Sequence, residues 1–191
     1  AIDGAFVDNT LAQNLRRFAQ NFANDETIRI PDVYPELSTK RIITMEYLDG
    51  INISDTQKLI DGGYNLPLIA RRGAIIGFQA TFQHGFFHAD PHPGNVFVLP
   101  GNVIGLVDFG MMATLSLRDR ERLAKLVYFI SVRDEKRVAR ALNQLMESED
   151  VIPAEELEPA MSAIVKDYAD IPAQDLRLAG MLFAMLQAIM A

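Results

Sequence analysis

The sequence predicts an α+β chain that is mainly helical and carries one short β-hairpin near its middle. Three observations predict it. Apolar residues recur at helical spacing over most of the 191 residues. Two short apolar runs, Val96–Leu99 and Val103–Val107, flank Pro100-Gly101-Asn102, which suits two strands and a tight turn. Glycine and proline then separate these segments cleanly.

Residues 8–23 form the first expected helix, with Asp8, Asn9 or Thr10 as cap and Leu11, Leu15, Phe18 and Phe22 on one face. Ile28-Arg29-Ile30-Pro31 breaks into an extended stretch that ends at Tyr34-Pro35. Arg41–Leu48 is rich in β-formers (Ile42, Ile43, Thr44, Tyr47) and reads as a strand closed by Asp49-Gly50. Ser54 caps a short helix to Ile60, stopped by Gly62-Gly63. Leu66–His84 is a long apolar helix stopped by Gly85, and its Arg71-Arg72 pair either snorkels to the surface or has one member salt-bridged to a loop carboxylate. Pro91, Pro93 and Gly94 make Phe86–Asn95 a loop, with Phe86-Phe87 packed in the core. Beyond Ser116 the pattern is helical again, over 116–131, 134–147, 154–169 and 174–190.

Composition narrows the function classes. The formal net charge of −7 argues against nonspecific nucleic-acid binding, which depends on neutralising phosphates with Lys and Arg. With no cysteine there is no disulfide framework, thiolate zinc site or cysteine nucleophile. No basic-then-apolar leader pattern opens the sequence, and the most apolar stretch, Leu176–Ala191, carries Arg177 and Gln187 and reads as a buried helix. Charge is uneven: residues 116–140 hold eight basic side chains and 147–175 hold nine acidic ones. These are either solvated helix faces or, in the basic case, a docking surface for anionic lipid or a partner.

The chemistry concentrates between His88 and Gly110. Asp90 and Asn95 lie five apart in a proline-stiffened loop, and Asp108 follows thirteen residues later, after a hairpin that can fold back beside it. Two carboxylates and an amide can thus meet at one point. Such oxygen donors suit a hard cation; magnesium takes one or two carboxylates and leaves other positions to water and phosphate. Asp90 is then placed to orient an acceptor hydroxyl or water and take its proton. Asp and Asn also form turns, but this combination and spacing favour the chemical reading. A metal-hydrolase set of His88, Asp90 and His92 is the competing idea, and Gly85, Pro91 and Pro93 break the helix that would put His84, His88 and His92 on one face. Met111-Met112 reads as adaptable packing.

His88-x-Asp90-x-x-x-x-Asn95 followed by Asp108-Phe-Gly110 is the catalytic-loop and metal-loop signature of protein-kinase-like folds. Its flanks are more specific. Phe86-Phe-His-Ala-Asp-Pro-His-Pro-Gly-Asn-Val-Phe97, Leu106-Val-Asp-Phe-Gly-Met-Met112, Ile43-Thr-Met-Glu-Tyr-Leu-Asp-Gly50, Asn14-x-x-Arg17-Phe18 and Ile30-Pro-x-Val-Tyr34 together resemble the UbiB/AarF-type atypical kinases. These kinase-like proteins are tied to coenzyme Q biosynthesis in bacteria, mitochondria and plastids. The resemblance covers most of residues 8–135.

It implies a protein-kinase-like fold of α+β class: residues 1–48 as a remnant of the small lobe with the interlobe connection, and 49–191 as the helical large lobe, the small lobe largely missing. It implies that Asp90 is the catalytic aspartate and that Asn95 and Asp108 bind Mg. The backbone of Met45–Leu48 would meet the adenine, which makes Glu46 and Leu48, with Asn95 and Asp108, the cofactor-binding residues. His88 would be structural. ATP and Mg are the implied cofactors, and phosphoryl transfer or ATP hydrolysis on a small or lipid-related target is the implied chemistry. A role in isoprenoid-quinone biosynthesis, and a cytoplasmic place with peripheral contact at the inner membrane, follow from the same likeness.

Two departures stand beside it. No lysine precedes the first helix, since the lysines are Lys40, Lys58, Lys125, Lys136 and Lys166, and the family's Lys-x-Gly-Gln segment is missing. Leu11 stands where the family writes a glutamate in that helix. Two alternatives remain: a small-molecule kinase of the aminoglycoside or choline type, a class that also carries His-x-Asp-x-x-x-x-Asn, or a noncatalytic pseudokinase-like scaffold, which Leu11 and the missing lysine support.

Overall fold

The computed structural model describes residues 10–39, 42–131 and 134–146. The helices expected over 154–169 and 174–190, the Leu176–Ala191 run and the acidic 147–175 segment lie outside the described residues. The chain packs as two compact units: Ala1–Ala80 with Phe86–Thr114, and Thr81–Gly85 with Leu115–Ala191. The lobe boundary expected at residue 48 falls inside the first of these.

The first unit opens with α1 (Thr10–Asn21), the expected first helix. Its apolar positions recur every three or four residues, so Leu15, Phe18 and Phe22 all face the core. A four-stranded sheet lies in the same unit, in the order β1-β5-β4-β2. Its strands are β1 (Ile28–Arg29), β2 (Ile51–Asn52), β4 (Val96–Leu99) and β5 (Val103–Leu106). The expected hairpin is present, with β4 and β5 antiparallel and Val96 opposite Leu106. Pro100–Asn102 makes the turn, and Arg72 donates from Nη1 to the Gly101 and Asn102 carbonyls at 2.7 and 2.6 Å. β1 joins β5 in parallel and β2 joins β4 antiparallel. Close packing on this sheet depends on Gly105: a Cβ there would come within 2.9 Å of the Leu48 and Leu99 side chains.

Helix α2 (Thr56–Asp61) is capped by Asp55, whose carboxylate accepts from the Lys58 N–H, and not by Ser54. Helix α3 (Leu66–Phe78) starts at Asn65, whose side chain accepts from the Leu68 N–H at 3.1 Å. The chain then continues as a π-helical turn, Gln79–His84, so the long expected helix changes its winding before Gly85 ends it at φ +62°.

Two further expectations change. Arg41–Leu48 is not a strand over its described residues: its pairing is one antiparallel bridge, Met45 to Val33. The bridge is held by Tyr34 N–H to the Thr44 carbonyl at 2.9 Å and Glu46 N–H to the Asp32 carbonyl at 2.7 Å, and it does not extend because the Asp32 N–H turns to Glu46 Oε2 at 3.1 Å and Pro35 opens a 3-10 turn. Side chains take over instead, with Ser38 Oγ accepting from the Thr44 N–H at 2.8 Å and Thr44 Oγ1 donating to the Leu37 carbonyl at 2.6 Å. Phe86–Asn95 is not all loop: β3 (Phe86–His88) pairs antiparallel with β6 (Met112–Thr114). The proline and glycine signals lie beyond His88, and the strand partner lies far along the chain, where local reading does not find it.

In the second unit, Arg120 donates to the Gln83 carbonyl at 2.8 Å, satisfying a group at the end of the π-helical turn. Helices α4 (Leu117–Ser131) and α5 (Glu135–Met146) pack together. Their buried residues, Leu126 and Ile130 on one and Val138 and Leu142 on the other, recur at four-residue spacing. Among the described residues no helix is long and apolar enough to cross a membrane.

Candidate active site: the His88–Asn95 and Asp108–Gly110 loops

Register brings the two loops together. Because Val96 opposes Leu106, the residues just outside the hairpin, Asn95 and Val107, meet next, and the Val107 N–H donates to the Asn95 carbonyl at 3.2 Å. One residue further, Asn95 Nδ2 donates to Asp108 Oδ2 at 3.2 Å. The two residues expected to hold metal are therefore in direct contact. The other Asp108 oxygen, Oδ1, accepts from the Gly110 N–H at 2.9 Å.

His88 ties this pair to the catalytic loop. Its Nδ1 accepts from the Asp90 N–H at 3.1 Å, so Nδ1 carries no proton. Its Nε2 must then donate, and the Asp108 carbonyl lies 2.8 Å away. The neutral Nε2–H tautomer is thus assigned by its two partners. Asp90 is exposed, and among the described residues its carboxylate accepts no hydrogen bond, which leaves both oxygens open to solvent or a ligand. The loop beyond it is stitched locally: His92 N–H to the Asp90 carbonyl at 2.7 Å, Asn95 N–H to the His92 carbonyl at 3.0 Å, and Gly94 N–H to His92 Nδ1 at 3.0 Å.

The other two expected cofactor residues lie in the 42–48 segment. Leu48 is buried against Gly105. Glu46 turns its carboxylate to Arg29, whose Nη2 lies 2.6 Å away, and also accepts from the Asp32 N–H at 3.1 Å. Arg29 is raised above its ordinary pKa chiefly by that hydrogen bond. The Glu46 side chain is thus committed, and its assigned cofactor role rests on its backbone. The histidine metal set does not form: among the described residues no group of three or more His, Asp or Glu side chains converges.

Two residues matter that the motif search left without a role. Asn14, on α1, donates from Nδ2 to the Phe109 carbonyl at 2.8 Å. Asn52, on β2, donates from Nδ2 to the Pro93 and Gly94 carbonyls at 3.3 and 3.1 Å. Asn14 lies within a motif that the resemblance rests on, so a signal existed. Nothing local marks Asn52.

The profile of the ABC1 atypical kinase-like domain matches residues 9–142, which contain both loops and α1. The chain belongs to the ABC1 atypical kinase-like family. It is 35% identical over 167 residues to "Protein ACTIVITY OF BC1 COMPLEX KINASE 1, chloroplastic" of Arabidopsis thaliana, covering 85% of this chain and 24% of that protein. It is 39% identical over 133 residues to "Probable protein kinase UbiB" of Vibrio atlanticus, covering 67% of this chain and 24% of that protein. The ABC1-type chain therefore spans about a quarter of the length of these curated relatives. Among solved structures it is similar to the Rv3197–erythromycin complex from Mycobacterium tuberculosis, with a TM-score of 0.62 at 18% identity over 94% of this chain and 53% of that one. That likeness shows the fold, which is kinase-like and of α+β class.

Proposed function

We propose that this ABC1-type chain carries the metal and catalytic loops of an atypical kinase or ATPase. The reaction is Mg-ATP-dependent phosphoryl transfer or ATP hydrolysis, linked to isoprenoid-quinone (ubiquinone) biosynthesis. The supporting observation is the direct Asn95–Asp108 contact, with His88 bonded both to the Asp108 carbonyl and to the Asp90 N–H.

The donor set fits magnesium. Asp108 offers a carboxylate, and Asn95, with its nitrogen turned to Asp108, offers its amide oxygen; both are hard ligands. When bound, magnesium neutralises charge on the nucleotide phosphates. The chain's own residues do the remainder. Asn95 and Asp108 hold the site, His88 fixes the spacing between the loops, and the exposed Asp90 carboxylate orients the acceptor hydroxyl or water and takes its proton. A small or lipid-related acceptor, and contact with a membrane surface through the exposed Arg118, Lys125, Lys136 and Arg140, belong to the same proposal.

Calorimetry with Mg-ADP and Mg-ATP tests it. The chain is expected to bind both, and Asp108→Asn to lose the magnesium-dependent part. Equal binding by the two proteins rejects the metal role. Asp90→Asn is expected to keep binding and to lower turnover by about 10²-fold or more. One observation favours a noncatalytic scaffold: Leu11, at the position of the family's helix glutamate, packs against the core. Binding without turnover by the unsubstituted protein selects that reading.

A further inference from the structure

Helix α1 reaches the metal loop through one hydrogen bond, and the place where it grips has consequences. The Phe109 carbonyl that accepts from Asn14 Nδ2 at 2.8 Å belongs to the peptide unit that joins Phe109 to Gly110. The N–H of that same unit is the Gly110 N–H, which donates to Asp108 Oδ1 at 2.9 Å. A peptide unit is planar and stiff, so turning its carbonyl turns its N–H by the same angle. Asn14 thus holds one end of a lever whose other end holds the Asp108 carboxylate.

The lever has a second position open to it. Gly110 is absent from the positive-φ glycines, Gly63, Gly85 and Gly101. Rotating the Phe109–Gly110 peptide by half a turn would carry Gly110 to the opposite sign of φ, which glycine adopts at little cost. The preceding peptide is held separately, because its Asp108 carbonyl belongs to His88. On the other side, the Phe109 ring is fully buried and lies 5.2 Å from the Phe18 ring of α1, so the side chain stays put whichever way the peptide points. The helix that presents Asn14 is itself anchored in the core by Leu15, Phe18 and Phe22. Among the described contacts of this peptide's carbonyl, Asn14 is what selects one orientation.

We infer that Asn14 is a positioning residue: its amide fixes the Phe109–Gly110 peptide so that the Gly110 N–H faces the Asp108 carboxylate and sets that carboxylate for a hard cation. The cation rests on the proposed function; the latch itself rests on the two hydrogen bonds. Because both bonds share a peptide, each polarises and strengthens the other. A donor is required at position 14, and size alone does not suffice.

The test uses the 15N-labelled chain with Asn14→Leu, Asn14→Asp and Asn14→Gln. Asn14→Asp keeps the size and replaces the donor with an acceptor, and Asn14→Gln keeps the donor on a longer arm. The Gly110 amide is followed by its hydrogen exchange and by its broadening with Mn2+ alone; Mg-ADP affinity is measured by calorimetry. Expected for Asn14→Leu and Asn14→Asp are loss of Gly110 exchange protection, weaker broadening, and roughly tenfold weaker Mg-ADP binding, about 1.4 kcal/mol. Binding of ADP without metal is expected to stay unchanged, and Asn14→Gln to restore most of the difference. An unchanged Gly110 amide in the Leu and Asp variants overturns the latch. A changed amide with unchanged Mn2+ broadening and unchanged Mg-ADP affinity overturns the positioning role. If the unsubstituted chain binds no Mg-ADP, the proposed function fails, while exchange and Mn2+ broadening still decide Asn14. Should Asn14→Leu not give a cooperative unfolding transition, the Asp and Gln variants carry the comparison.

Discussion

The two loops of the site answer the same demand in opposite ways. Both must hold a few polar atoms still. The His88–Asn95 loop does so at the surface: Asp90 through Gly94 are exposed, two prolines fix φ, and short hydrogen bonds run within the loop and to Asn52. The Asp108–Gly110 loop does so from below, with Phe109 fully buried among Phe18, His88 and the rest of the core. The first loop is rigid without carrying much of the fold. The second cannot be disturbed without disturbing the fold as well. Stability and activity should therefore separate in one loop and move together in the other.

The largest expected effect breaks the buried loop. Phe109→Ala removes a ring with no exposed surface and should destabilise the first unit by about 3–5 kcal/mol. Urea unfolding followed by near-ultraviolet circular dichroism would read it, and magnesium-dependent nucleotide binding should fall with it. A loss under 1 kcal/mol would mean that Phe109 is not the anchor its burial indicates.

Next in size is Asn52→Ala, which sharpens the contrast from the surface side. Two main-chain carbonyls lose their donor, and about 1–2 kcal/mol of stability should go. Exchange of the Gly94 and Asn95 amides should speed up more than that of the core strands β4 and β5. Uniform acceleration across the unit would show that the catalytic loop is not an independently held element.

These residues also mark how far the sequence could be read. The hairpin was legible because Pro100-Gly101-Asn102 is local turn chemistry, and the Asn95–Asp108 meeting followed from it, since an antiparallel return must bring the flanking residues together. The pairing of Ile28 with Ile104 and of Phe87 with Ala113 was not legible, because nothing in either segment names its partner. Arg41–Leu48 was over-read: β-formers extend a strand only where the ladder's N–H groups stay free for the facing carbonyls, and those of Asp32 and Thr44 go to the Glu46 and Ser38 side chains. Asp90, Asn95 and Asp108 stand out because their chemistry is unusual at that spacing. Asn14 and Asn52 do not, since each acts by donating to a carbonyl whose position only the fold defines.

His92 carries the smallest expected effect and the finest test of the surface loop. Its Nδ1 accepts from the Gly94 N–H at 3.0 Å, capping the short turn Pro93–Asn95 that presents Asn95 to Asp108. The side chain is exposed, so His92→Ala should cost about 0.5 kcal/mol, at the low end for a lost cap. Its effect on function should be larger than that figure suggests, because the turn it caps ends at the residue whose amide meets Asp108. His92→Asn supplies an oxygen acceptor of the kind preferred at such caps and should recover both stability and magnesium-dependent binding. His92→Gln, a weaker cap with a longer arm, should recover less. If Ala, Asn and Gln are equivalent in binding, the proline pair alone holds the turn, and the stiffness of this loop lies in its backbone with no share from its hydrogen bonds.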